Sequence, residues 1–309
     1  MSSGRERISA KEMRAIELNS EYLGVSTLQL VENAGRAVAS EIASRFSPPS
    51  RIVVYTGTGK NGGDGMVAAR HLASLGYSVS LILVGKEDNI RDGVVIANWQ
   101  AIREMSRSIQ VRVAYDSSLI SVEDCEVTVD ALLGIGAKGA PRPPILQAVK
   151  AINESKGFKV AVDIPTGVDA DTGETEEEAV KADLTITFHK EKTGLAKAKK
   201  YVGELKVASV GIPPEAELLA GPGDVSLVTK ERPPESHKGD FGRLLIIGGS
   251  ETYTGAPSYV ALAALRTGVD LAYVAAPEKT AGVISSFSPN LITIKLKGNH
   301  FASGNLDEI

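Results

Sequence analysis

The chain has one cysteine, Cys125, in 309 residues. A single thiol excludes an intrachain disulfide and any cysteine-based zinc site, and it fits a reducing, cytoplasmic setting. The four histidines, His71, His189, His237 and His300, show no ligand spacing, so no transition-metal centre is expected. No apolar run approaches the roughly 20 residues a bilayer span needs. Residues 1–8 lack the apolar core of a signal peptide. Net charge is only −4, which implies neither a nucleic-acid partner nor a membrane surface. No G-x-S-x-G elbow is present. What remains is an ordinary globular composition, long enough for one domain and much of another.

The pattern along the chain is alternating. Ser9-Ala-Lys-Glu12 reads as a capping box that opens a first helix, ended by Gly24. A second helix is expected over 27–46. Strands are expected at 51–56, 78–84, 110–114, 126–130, 158–163, 183–188 and 205–209, with helices at 64–75, 91–106 and 143–154. Short Val/Ile-rich strands alternating with helices predict a Rossmann-like α/β fold, a mostly parallel sheet covered on both faces. Pro- and Gly-rich punctuation follows, and 213–236 reads as a linker between a first domain (1–212) and a further unit (237–309). That unit shows strands at 243–247, 271–275 and 291–296 and helices at 257–267 and 278–284. These lengths are short for a closed α/β domain, so an incomplete second α/β unit is expected.

The densest signal is Gly57-Thr-Gly-Lys-Asn-Gly-Gly-Asp-Gly65, five glycines between a strand and a helix. A Gly-rich turn at a helix N-terminus lets backbone N–H groups approach a phosphate. Gly57-Thr-Gly59-Lys-Asn-Gly62 matches G-x-G-x-x-G, the dinucleotide fingerprint, for which Glu87 or Asp88 would hold the ribose. The plain alternative is a tight turn. A dehydrogenase does not account for Asn61 and Asp64, whose side chains suit a hydroxyl or a cation. Asp130 and Asp163 each end an apolar strand, and ligands of open α/β sheets bind at those ends. Each aspartate can hold a cation, orient a hydroxyl or move a proton, or simply cap its turn. Thr166 adds a hydroxyl. Gly134 to Ala140 form a second Gly-rich loop. Of the basic run Lys190, Lys192, Lys197, Lys199 and Lys200, most read as solvated, with Lys190 or Lys192 near enough to a strand end to reach a site.

Four ordered motifs carry a family resemblance: Leu30-Val-Glu-Asn-Ala-Gly35, Lys60-Asn-Gly-Gly-Asp-Gly-Met-Val-Ala-Ala-Arg70, Val129-Asp-Ala-Leu-Leu-Gly-Ile-Gly136 and Val162-Asp-Ile-Pro-Thr-Gly-Val-Asp-Ala-Asp-Thr-Gly173. Together they resemble the YjeF N-terminal domain family, the NAD(P)HX epimerases. His237-Lys-Gly-Asp-Phe-Gly242, Gly248-Gly-Ser250 and Thr254-Gly-Ala-Pro257 resemble the start of a ribokinase-like, ADP/ATP-dependent NAD(P)HX dehydratase domain. The order of the two parts resembles that of bifunctional repair enzymes.

The resemblance implies a small-molecule substrate, NADHX or NADPHX, hydrated at C6 of the nicotinamide ring, whose R and S forms are interconverted. It implies that Lys60, Asn61, Gly62, Gly63 and Asp64, with Gly134, Ile135, Gly136, Ala137, Lys138, Gly139 and Ala140, hold the ligand. Asp163 would contact substrate and act as acid/base, with Lys192 second. Asn61, Asp130 and Thr166 would bind one potassium ion, an all-oxygen set suited to a hard cation. It further implies a homo-oligomer. Lys60 stands where the family commonly has a second Asn, and Thr166 where it commonly has Ser. The later dehydratase motifs are missing, so a truncated dehydratase part without activity is expected. A non-catalytic dinucleotide-binding protein is the alternative.

Overall fold

A computed structural model describes residues 7–229 and 232–309. Residues 1–6, and Lys230 and Glu231 within the stretch expected as a linker, lie outside the described residues. The chain forms two compact units, Met1–Thr229 and Lys230–Ile309.

In the first unit a two-residue strand β1 (Arg7–Ile8) precedes α1 (Ala10–Tyr22) and α2 (Thr27–Ala43). Both helices open with full capping boxes, Ser9 with Glu12 and Ser26 with Gln29. Then follow β2 (Arg51–Thr56), α3 (Lys60–Ser74), β3 (Ser78–Val84), α4 (Gly93–Glu104), β4 (Ile109–Ala114), β5 (Val127–Ala131), α5 (Ile145–Glu154), β6 (Phe158–Val162), β7 (Leu184–Phe188), β8 (Glu191–Lys192), α6 (Lys199–Val202) and β9 (Glu204–Ala208). Seven strands form one parallel sheet in the order β4-β3-β2-β5-β6-β7-β9. Every expected strand of this unit is present; the central ones are buried along their length, while the edge strands β4 and β9 are partly exposed.

The pleat sorts the core. On β2, Ile52 and Val54 face a layer that includes Val38, Ile42, Met66 and Leu72 of α2 and α3. Val53 and Tyr55 face the opposite layer, with Ala148, Val149 and Ile152 of α5. Alternate residues point to opposite faces, and both faces of β2 are covered, so it reads as a continuous apolar run and not as alternation.

One expectation is corrected. The helix predicted from residue 64 begins at Lys60, so Asn61, Gly62, Gly63 and Asp64 lie in the first turn of α3 and not in a loop. The glycines there permit close packing. A Cβ on Gly62 would meet the Gly57 carbonyl oxygen at 2.0 Å, and one on Gly65 would meet Ala131 Cβ at 2.4 Å. Glycine is a poor helix former, which is why the sequence pattern placed the start one turn late.

The stretch 213–229 carries α7 (Glu215–Leu218) and α8 (Pro222–Val228), both packed on α1. Buried Asn19 ties them: its Nδ2 donates to Ala216 O at 2.9 Å, and its Oδ1 accepts from Gly223 N at 2.8 Å. The second unit holds β10 (Arg243–Ile247), α9 (Gly255–Thr267), β11 (Leu271–Pro277), α10 (Glu278–Ser286) and β12 (Ile292–Leu296). Its three strands pair in parallel in the order β10-β11-β12 around a small core of Ala261, Val274, Ala281 and Ile284. No helix among the described residues is long and apolar enough to cross a membrane.

Candidate active site

The strand order reverses direction between β2 and β5, and a crevice opens at such a switch point. A cleft of about 580 Å³ lies there. Thr58, Gly59, Lys60, Asn61 and Asp64 line it from beyond β2, Leu132 to Ala137 from beyond β5, Asp163 from beyond β6, and Phe188 and Lys192 from β7 and β8. Met13, Arg14 and Glu17 of α1 complete the wall.

Asp163 follows β6 in the left-handed region, at φ 65°. A non-glycine residue rarely adopts it, and where it does the surrounding structure holds it. Its N–H donates to Ile186 O at 2.8 Å. Its Oδ1 accepts from Lys192 Nζ at 2.6 Å and from Thr187 Oγ1 at 3.0 Å. No described residue donates to its Oδ2, which leaves that oxygen for a ligand.

Lys192 is 1% exposed. Its ammonium donates to Asp163 Oδ1, to Thr187 Oγ1 at 3.0 Å and to Phe188 O at 2.9 Å. Three donors meet three acceptors, so no proton of Lys192 remains for a ligand. The pairing β1–β8, Arg7 beside Glu191 and Ile8 beside Lys192, fixes the backbone that carries it. Lys190 pairs with Glu217 instead, and Lys197, Lys199 and Lys200 are exposed.

Behind the cleft Asp130 and Thr166 are both 1% exposed. Thr166 donates twice to Asp130, from its N–H to Oδ2 at 2.8 Å and from its hydroxyl to Oδ1 at 2.7 Å. Leu133 N donates to Thr166 Oγ1 at 3.1 Å. Burial pushes the Asp130 carboxyl up to about 6, against the bonds from Thr166 and Leu132. Asn61 packs against neighbouring Gly134, and its side-chain oxygen and nitrogen are buried without a partner among the described residues. Unpaired buried amides are rare in native structures. No group of three or more His, Cys, Asp or Glu is placed to hold a metal ion among the described residues. An oxygen set of Asn, Asp and Thr is of a different kind.

Asp64 sits one turn into α3, and no described residue hydrogen-bonds its carboxyl. Burial, with the charges of Asp163 and Glu17, holds it well above the usual carboxylate range, against Lys192 and Lys60. Gly59 caps α3 without a side-chain bond, in extended backbone, with nothing within 4 Å of where a Cβ would stand. The helix N-terminus is therefore open to the cleft.

Other expected positions lie off its wall. Gly62 and Gly63 face protein. Lys138 pairs with Asp171, and Ala140 N donates to Glu176. Glu87 is engaged by Trp99 and Arg103. Glu17, Arg14 and Thr187 carried no signal in the sequence. The helical periodicity of α1 marks its buried face, but not where that helix docks.

Strand order and cleft together define a doubly wound α/β protein with a cleft at the switch point. Residues 27–194 match the model of the family described as YjeF-related protein N-terminus, and the chain belongs to that family. Residues 244–308 match the model described as NAD(P)H-hydrate dehydratase. The chain is 47% identical over 292 residues to a bifunctional NAD(P)H-hydrate repair enzyme Nnr of Hyperthermus butylicus, covering 94% of this chain and 54% of that protein. It is 39% identical over 210 residues to an NAD(P)H-hydrate epimerase of Cenarchaeum symbiosum, covering 68% of this chain and 97% of that protein. The crystal structure of yeast ynu0, YNL200c, superposes with a TM-score of 0.55 at 25% identity, covering 62% of this chain and 83% of that one. The chain thus spans little more than half the length of the Hyperthermus relative.

Proposed function

We propose that the first unit is an epimerase that interconverts the R and S forms of hydrated NADH or NADPH. The observation that carries this is Asp163. Its Oδ1 is clamped by Lys192 and Thr187 while no described residue hydrogen-bonds its Oδ2, on a cleft of about 580 Å³. Inversion at C6 needs a C–O or ring C–N bond to break and re-form with proton transfer. Asp163 supplies the proton acceptor, and Lys192 positions it without touching substrate. The uncapped N-terminus of α3, with Gly59, Lys60 and Asn61, suits the pyrophosphate, and Leu132 to Ala137 form the facing wall.

Asn61, Asp130 and Thr166 would hold a potassium ion. The orphaned amide of Asn61 and the buried carboxylate of Asp130 are the observations that fit. When bound, the ion would offset buried charge and tie the start of α3 to the end of β5 and the segment after β6. Residues 1–212 carry this activity in our reading, and 237–309 correspond to part of a dehydratase-type domain, for which no step is derived.

The test is chromatography of an R-enriched NADHX sample. The protein should speed equilibration with the S form, and Asp163→Ala should abolish that. Folded wild type that binds the dinucleotide without changing the rate would make this a non-catalytic binding protein.

A further inference from the structure

Glu17 is one of three residues that α1 contributes to the cleft, and of these it alone carries a transferable proton. Burial and neighbouring charges act on its carboxyl. No described residue hydrogen-bonds it. The charges are Lys60 at the start of α3, Asp163 beyond β6, Lys192 on β8 and Arg14 on its own helix, and Asp64 of α3 feels Glu17 in turn. Two of the cations have other partners: Lys192 is saturated by its three acceptors, and Arg14 donates to Ile135 O at 3.4 Å. Glu17 is therefore a carboxyl with unused hydrogen-bonding capacity. It shares the cleft with Asp163 but comes from a different element.

Inverting a hydroxyl-bearing carbon moves the hydroxyl from one face of the ring to the other. A proton-transfer group is then needed on each face. We propose that Glu17 is a second catalytic residue of the epimerisation, serving the C6 hydroxyl on one face of the nicotinamide ring while Asp163 serves it on the other. This rests on the epimerase reading above. In one direction the Glu17 proton passes to the C6 hydroxyl, the C–O bond breaks with its electron pair on oxygen, and water leaves. The N1 lone pair forms a C6=N1 iminium. Water then bonds to C6 from the opposite face, the C=N pair returns to N1, and the water's proton passes to Asp163 Oδ2. That turnover leaves Glu17 ionised and Asp163 protonated; this form runs the reverse direction with the roles exchanged, and proton exchange with solvent restores the starting form.

The environment of Glu17 suits the donor state. Burial raises its carboxyl above the ordinary range and Asp163 adds to this, while Lys60, Lys192 and Arg14 act against it. A neutral acid beside a clamped carboxylate is the pairing that acid–base chemistry requires.

The experiment uses the full chain with NADHX isomers, measuring kcat, KM and the pH profile of kcat. Glu17→Gln should lower kcat about 10²–10³-fold with KM near wild type. Glu17→Asp should recover part of it. The alkaline fall in wild-type kcat, where Glu17 loses its proton, should be absent from the residual activity of Glu17→Gln. Wild-type kcat in the Gln variant, a loss confined to KM, or an unchanged alkaline limb would each overturn the proposal while leaving the epimerase reading standing. Should wild type fail to equilibrate the isomers, the epimerase reading falls and the role of Glu17 with it. Should Glu17→Gln fail to fold, the Asp variant and the wild-type pH profile decide by the same criteria.

Discussion

Thr166 holds Asp130 by both of its carboxylate oxygens, hydroxyl to Oδ1 and backbone N–H to Oδ2, at positions that expose 1% of each residue. The same hydroxyl accepts from Leu133 N, so one oxygen ties the ends of two strands together. Thr166→Val removes it and leaves the partly buried Leu133 N–H and the buried Asp130 carboxylate each short of a partner. The expected cost is about 2–4 kcal/mol in urea denaturation. Thr166→Ser keeps the hydroxyl and should cost less than about 1 kcal/mol.

If this cluster holds potassium, the thermal midpoint should rise with potassium chloride above that in choline chloride at equal ionic strength. A ligand at 100 times its Kd stabilises by about 2.7 kcal/mol. Asn61→Ala should abolish the difference between the two salts. Equal midpoints in both salts for wild type would remove the ion from the site.

Breaking the Lys192–Asp163 pair leaves an uncompensated buried charge. Lys192→Met should destabilise by about 3–5 kcal/mol. Adding Asp163→Asn should restore part of that stability, because the stranded carboxylate is gone. A double variant that simply sums the single losses would show the pair to be uncoupled.

Asp64 has a pH signature with a definite sign. Its folded-state pKa is raised above its unfolded value, chiefly by burial. Its contribution to stability is therefore fully present below the unfolded value, near 3.8, and is lost as pH rises through the folded one. Asp64→Asn does not titrate. Its thermal midpoint relative to wild type should climb as pH rises above about 3.8 and level off once Asp64 is ionised in the folded state. A constant difference across that range would contradict the assignment.

The glycines of α3 should separate cleanly. Gly62→Ala drives a Cβ to 2.0 Å from the Gly57 carbonyl oxygen and should cost about 3 kcal/mol or more. Gly59→Ala meets nothing within 4 Å and should unfold within about 0.5 kcal/mol of wild type. Its effect should fall on KM for the dinucleotide, since the methyl group stands where phosphate would approach the helix.

These residues show what could be read in advance. The strands were legible because a parallel strand buried on both faces is a short unbroken apolar run, and β2 and β3 are such runs. Asp130 and Asp163 were legible because they end such runs on the edge where ligands bind. The start of α3 was not, since glycine spacing alone does not distinguish a permissive turn from a closely packed helix. Lys192 was one of five similar lysines, and its burial against Asp163 and its pairing with β1 set it apart. Glu17 looks like any charged residue on an amphipathic helix. Its relevance arises from where α1 docks, a long-range relation that no local pattern encodes.

The β1–β8 pairing joins the N-terminal end of the described chain to the lysine that grips Asp163. Thr193 N also donates to Ile8 O at 3.0 Å, so the joint is backbone on both sides. Two residues thereby act as a clasp. A protease nick just ahead of Ser9, or a rigid fusion pulling on Arg7, would slacken the site from a part of the chain that protein engineers usually treat as free to trim.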